Sequence, residues 1–110
     1  MSINQIQDEI IEEFSVFEDW LDKYALIIEY GNGLEPMPEQ DKNERNLIDG
    51  CQSKVWFTAK LEDGKVVYQG DSDAILVKGI VALLIRVLSN QTPADVVGAD
   101  LYFLDAIQLR

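Results

Sequence analysis

Apolar residues recur at helical spacing through the first part of the chain. Ile6, Ile10, Phe14 and Phe17 fall on one face while acids fill the other. Ser2 followed by Gln5 has the pattern of a capping box, in which each residue satisfies a backbone amide of the other. A second such pattern, Ser15 to Glu18, precedes Trp20, Tyr24, Ile27 and Ile28. Together they predict two helices that meet near residues 15–18. Gly31 and Gly33 then read as stop signals, and Pro36 and Pro38 enforce a loop. Residues 35–45 are polar and long for a connection, a place where function often resides.

From Ser53 the period changes to two. Val55, Phe57, Ala59 and Leu61 alternate with Lys54, Trp56, Thr58 and Lys60, as in a strand with two unlike faces. Asp63-Gly64 is a tight-hairpin signal, so the pattern predicts an antiparallel hairpin over about 53–61 and 65–71, with one further short strand beside it. Next, "DSDAILVKGIVALLIRVL" is apolar nearly all round, broken only by Lys78 and Arg86, and reads as the buried central helix. Ser72 or Asp73 is placed to cap it. Gly79 inside it costs about 1 kcal/mol relative to alanine, which close approach of a neighbouring backbone would explain. Thr92-Pro93 starts another helix, and a last short one begins near Asp100. The expected architecture is α+β: a single domain over residues 1–110, an antiparallel sheet packed with helices.

Composition narrows the function classes. The chain has 110 residues, 47% of them apolar, enough for one core. No apolar run is long enough to cross a membrane, and the acidic "MSINQIQDEI" carries no secretory leader. One cysteine allows no disulfide within the chain, which fits a cytoplasmic setting. The net charge of −11 is uneven: residues 1–49 hold thirteen acids against Lys23, Lys42 and Arg45, and the remainder seven acids against six bases. That disfavours nucleic acid, whose phosphates need bases. It suits a basic protein partner, or a solvated surface kept for solubility.

The chain has no histidine. Ser-His and Cys-His nucleophile activation are therefore absent, and one cysteine without any histidine argues against a zinc or iron–sulfur site on a single chain. No phosphate loop is present. Cys51 remains as the distinctive chemical group. Gly50 and Gln52 flank it, Asp49-Gly50 is turn-like, and it precedes the strand instead of lying in it. Those features favour a reactive thiol over a buried structural one, the competing reading. Only Lys54 supplies a nearby cation along the sequence, so a partner is needed to complete the site.

"GCQSKVW" (residues 50–56), followed after the hairpin by "GDSDAILVKG" (residues 70–79), resembles the SufE family of sulfur-acceptor proteins. The Trp20/Tyr24 helix ending in "IEYG", the "PMPEQDKNE" loop, Asn46 and "LSNQTPADV" are similar too, so the likeness covers about residues 17–108. The resemblance implies a fold like that of SufE and the IscU-type scaffolds. It implies that Cys51 accepts persulfide sulfur from a PLP-dependent cysteine desulfurase of the SufS type, stimulates that enzyme, and passes sulfur to an iron–sulfur scaffold complex of the SufBCD type. On that reading the chain is an adaptor, monomeric or homodimeric, not an enzyme. It holds neither cofactor nor metal, the PLP being the partner's. Gly50, Gln52, Ser53, Asp71, Ser72 and Asp73 would support the cysteine-bearing loop, with capping of the central helix as the plainer role for the last three. The chain departs from the family pattern where it stops at "AIQLR"; family members continue through a Ser-x-Arg segment into a further helix, so that tail is expected to be missing. A stand-alone thiol enzyme and a non-catalytic interaction module with an incidental cysteine remain the competing functions.

Overall fold

The computed structural model describes residues 1–48 and 52–107. In chain order these form helices α1 (Ile3–Ser15) and α2 (Trp20–Asn32), two 3-10 turns (Glu39–Asp41 and Glu44–Asn46), strands β1 (Val55–Glu62) and β2 (Lys65–Ser72), and helices α3 (Ile75–Leu88), α4 (Pro93–Val97) and α5 (Phe103–Ala106). The fold is α+β, as expected.

Helix α1 starts at the anticipated capping box: Gln5 N–H donates to Ser2 Oγ (3.1 Å) and Ser2 N–H to Gln5 Oε1 (2.8 Å). Its buried face is Ile3, Gln7, Ile10 and Phe14. Gln7 is fully buried because both ends of its amide are used: Nε2 donates to Asp100 O (2.9 Å) and Oε1 accepts from Phe103 N–H (3.1 Å). Tyr102 Oη donates to Asp8 Oδ1 at 2.7 Å, a second tie between α1 and the start of α5. That last helix begins at Phe103, three residues beyond the expected Asp100.

The box expected at Ser15–Glu18 does not form. Ser15 still belongs to α1, and its hydroxyl donates back to Glu12 O (2.6 Å); Asp19 caps α2 instead, accepting from Leu21 N–H at 2.9 Å. Gly31 is not a stop either. It lies inside α2, where a Cβ would come within 2.9 Å of Gly79 N, and a Cβ on Gly79 would collide with the Ile27 carbonyl oxygen. The close backbone approach inferred from Gly79 is thus a glycine-on-glycine crossing of α2 and α3. Around it Ile10, Phe14, Ile27, Leu83, Val87, Phe103 and Ile107 make the core.

The hairpin pairs Val55 with Ser72 through Glu62 with Lys65. Its turn residues Asp63 and Gly64 sit at φ 50° and 77°, the left-handed geometry that an Asp-Gly pair favours. Both strands end one residue later than expected, and β1 begins at Val55, two residues after the expected Ser53. Among the described residues no third strand forms; single antiparallel bridges, Leu47 to Trp56 and Val66 to Gln91, flank the hairpin instead. Burial does not alternate along β1 but grades from buried Val55 to exposed Leu61, since the core lies under only the base of the hairpin. Thr92 and Pro93 start α4 as anticipated, with Thr92 Oγ1 accepting from Asp95 N–H.

Candidate functional site

Gly50 and Cys51 lie outside the described residues, so the site is built from what flanks them. On the incoming side, Leu47 bridges Trp56, and Ile48 N–H donates to Val55 O at 2.8 Å. The segment containing Cys51 is thus preceded by a bond to the hairpin base at Ile48 and followed by the strand that begins at Val55. Cys51 is three residues from the first and four from the second along the sequence. Gln52 is exposed and Ser53 half-buried.

The outgoing side is held by the end of β2. Lys54 N–H donates to Asp73 Oδ1 (3.0 Å), while Lys54 O accepts from Ser72 Oγ (2.8 Å) and from Asp73 N–H (3.2 Å). Neither Ser72 nor Asp73 occupies the cap position of α3. That position is Ala74, whose N–H donates to Ser72 Oγ at 3.2 Å. The two side chains are drawn away because the backbone of Lys54 runs alongside them, one residue before β1 begins.

Asp71 behaves differently. It is 7% exposed, and it meets two cations: Lys42 Nζ at 2.9 Å and Lys78 Nζ at 3.5 Å. Ser72 N–H also donates to its Oδ1 at 2.7 Å. Burial pushes the Asp71 carboxyl up, but the Lys42 hydrogen bond, the Ser72 amide and the Lys78 charge outweigh it and hold the group below its ordinary value. The same bond to Asp71, with a weaker one to Glu39, raises Lys42. Lys42 Nζ also stands 6.0 Å from the ring of Trp56, the cross-strand partner of Asp71.

The sequence named Lys54 as the sole nearby cation; the fold brings Lys42 and Lys78 to the hairpin base as well. Lys42 arrives because the 35–45 loop is ordered inward. Met37 is 4% exposed, Asn43 Oδ1 accepts from Asn46 N–H, and Asn46 Nδ2 donates to Asp41 O at 2.7 Å. The signal available beforehand was the pair of asparagines around Lys42, short polar residues that tie turns. Among the described residues no group of three or more metal-ligating side chains gathers. No described helix is long and apolar enough to cross a membrane.

Residues 8–110 match the family model SufE, described as "Fe-S metabolism associated domain". An uncharacterized SufE-like protein of Synechocystis sp. is 48% identical over 101 residues, covering 92% of this chain and 64% of that relative. The match thus spans just under two thirds of that relative's length.

Proposed function

The chain belongs to the SufE family, and from that premise we propose that it is a sulfur acceptor for a PLP-dependent cysteine desulfurase of the SufS type, with Cys51 as the accepting thiol. The observation that carries the reading is the family match over residues 8–110 together with the one cysteine of the chain, set between two hydrogen-bonded stems at the hairpin base.

The chemistry is exchange at sulfur. The desulfurase holds sulfur as a cysteine persulfide. The Cys51 thiolate attacks the outer sulfur, a new S–S bond forms on Cys51, and the bond to the enzyme sulfur breaks with that sulfur leaving as a thiolate. The proton lost from Cys51 passes to solvent or to the leaving thiolate, so no external oxidant or reductant enters. Sulfur then moves by the same exchange toward an iron–sulfur scaffold complex of the SufBCD type. This chain contributes no cofactor to the step; PLP acts on the desulfurase. Its own contribution is to present Cys51 from stems fixed by Ser72, Asp73 and Lys54.

Mass spectrometry after incubation with the desulfurase, PLP and free cysteine tests this directly. One added sulfur on Cys51 is expected, and Cys51→Ser is expected to abolish it while keeping a cooperative unfolding transition. A wild-type chain that gains no sulfur would favour a stand-alone thiol enzyme or an interaction module instead.

A further inference from the structure

The two stems that bracket Cys51 are held in different ways. The outgoing stem is held by neutral and backbone hydrogen bonds at Lys54 and by the Asp73 carboxylate. The incoming stem, residues 39–48, carries Lys42, and Lys42 crosses to the nearly buried Asp71 on β2. Asp71 also takes Lys78 from α3. One carboxylate thereby joins the incoming stem, the hairpin and the central helix.

We infer that Lys42 is a positioning residue for the chemistry at Cys51, acting through Asp71 to fix the incoming stem where it meets the hairpin. Lys42 touches no reacting atom in this account. Its ammonium meets a carboxylate shielded from water, so the pair is screened less than a surface bridge. The indole of Trp56 stands beside the ammonium, and Trp56 is also the residue that Leu47 bridges. Displacing Lys42 therefore loosens the approach to Ile48, one residue before the Asp49-Gly50-Cys51 stretch. The outgoing stem keeps its own bonds. Asp71 in turn keeps Lys78 and the Ser72 amide, so loss of Lys42 leaves the hairpin base with a satisfied carboxylate.

The inference rests on the acceptor reading above, and the experiment separates the two. Wild type, Lys42→Met and Lys42→Arg are compared by amide hydrogen exchange at Ile48 and Lys54. The desulfurase's kcat and KM are then measured with each chain as the varied sulfur acceptor. In Lys42→Met the Ile48 amide is expected to exchange about fivefold faster, with Lys54 unchanged. The kcat should fall by a similar factor at unchanged KM, and Lys42→Arg should restore both. Unchanged Ile48 exchange in Lys42→Met overturns the inference. So does faster exchange at Ile48 and Lys54 together, which would mark a general loss of stability. A raised KM at unchanged kcat would make Lys42 a docking contact and overturn it as well. If the amides behave as expected but wild type acquires no sulfur, the acceptor reading falls, Lys42 loses its chemical role, and the clamp stands as a stem anchor only.

Discussion

Two charge clusters of opposite make-up link elements of this molecule. At the junction of α1 and α3, one cation serves two acids: Arg86 reaches Glu9 (2.8 Å) and Glu13 (2.8 and 3.0 Å), and donates to Tyr30 Oη at 3.1 Å. At the hairpin base one acid serves two cations, Asp71 with Lys42 and Lys78. The first cluster is open to water, its glutamates 47% and 39% exposed; the second surrounds a carboxylate with a side chain only 10% exposed. In an acidic chain with nine bases, three of them are spent on these contacts. The difference in burial decides what each is worth. An exposed bracket gains little over hydration, whereas a desolvated carboxylate cannot lose its partners without a large penalty.

The strongest way to break the comparison is Asp71→Asn. It leaves Lys42 and Lys78 near each other without their anion, and should cost about 2–3 kcal/mol in urea unfolding at neutral pH. The effect carries a pH signature. Because the folded carboxyl titrates below its ordinary value, its stabilisation is present above the unfolded value of about 3.9 and is lost as pH falls through the lower folded one. The gap between wild type and Asp71→Asn should therefore narrow only in acid. A gap that is flat down to the acid transition would mean that Asp71 acts through packing and not charge.

Arg86→Met should cost less, about 1 kcal/mol, and the loss should shrink at high salt. If it matches Asp71→Asn, exposure has been misjudged as the deciding variable. The smallest effect concerns docking. Glu9 and Glu13 are already committed to Arg86, so the remaining acids of residues 1–49 would carry any steering toward a basic partner. The association rate with the proposed desulfurase partner should fall severalfold as ionic strength rises, with little change in dissociation. Indifference to salt would assign those acids to solubility.

These contrasts also mark what the sequence discloses. The Ser2–Gln5 box, the Asp63-Gly64 turn and the Thr92-Pro93 start are bonds among residues within three of one another, and each was readable because the partners sit side by side. Gly79 was readable as an anomaly inside an apolar helix, though not that its counterpart was Gly31. Ser15 misled because the same hydroxyl that caps a helix also back-bonds within one. Gln7 was hidden for a different reason. An amide on a core face looks like an error until the backbone groups at Asp100 and Phe103 arrive from far along the chain. At the candidate site, Cys51 is singled out by the sequence alone and lies outside the described residues, while the bonds of Ser72 and Asp73 to Lys54 and the pairing of Asp71 with Lys42 depend on how the hairpin base and the 35–45 loop fold.

Gln7 ties the first described helix to the last. Within α1 its amide reaches Asn4 at 3.3 Å, but the partners that let it be buried, Asp100 O and Phe103 N–H, lie 93 and 96 residues further along the chain. Tyr102 seals the same junction through Asp8. Without residues 100–103 the core face of α1 could not be buried except by leaving the Gln7 amide short of partners, a cost that a solvated amide avoids. Truncation before residue 100 is therefore expected to leave that amide hydrated and its apolar neighbours on α1, Ile3, Ile10 and Phe14, more exposed.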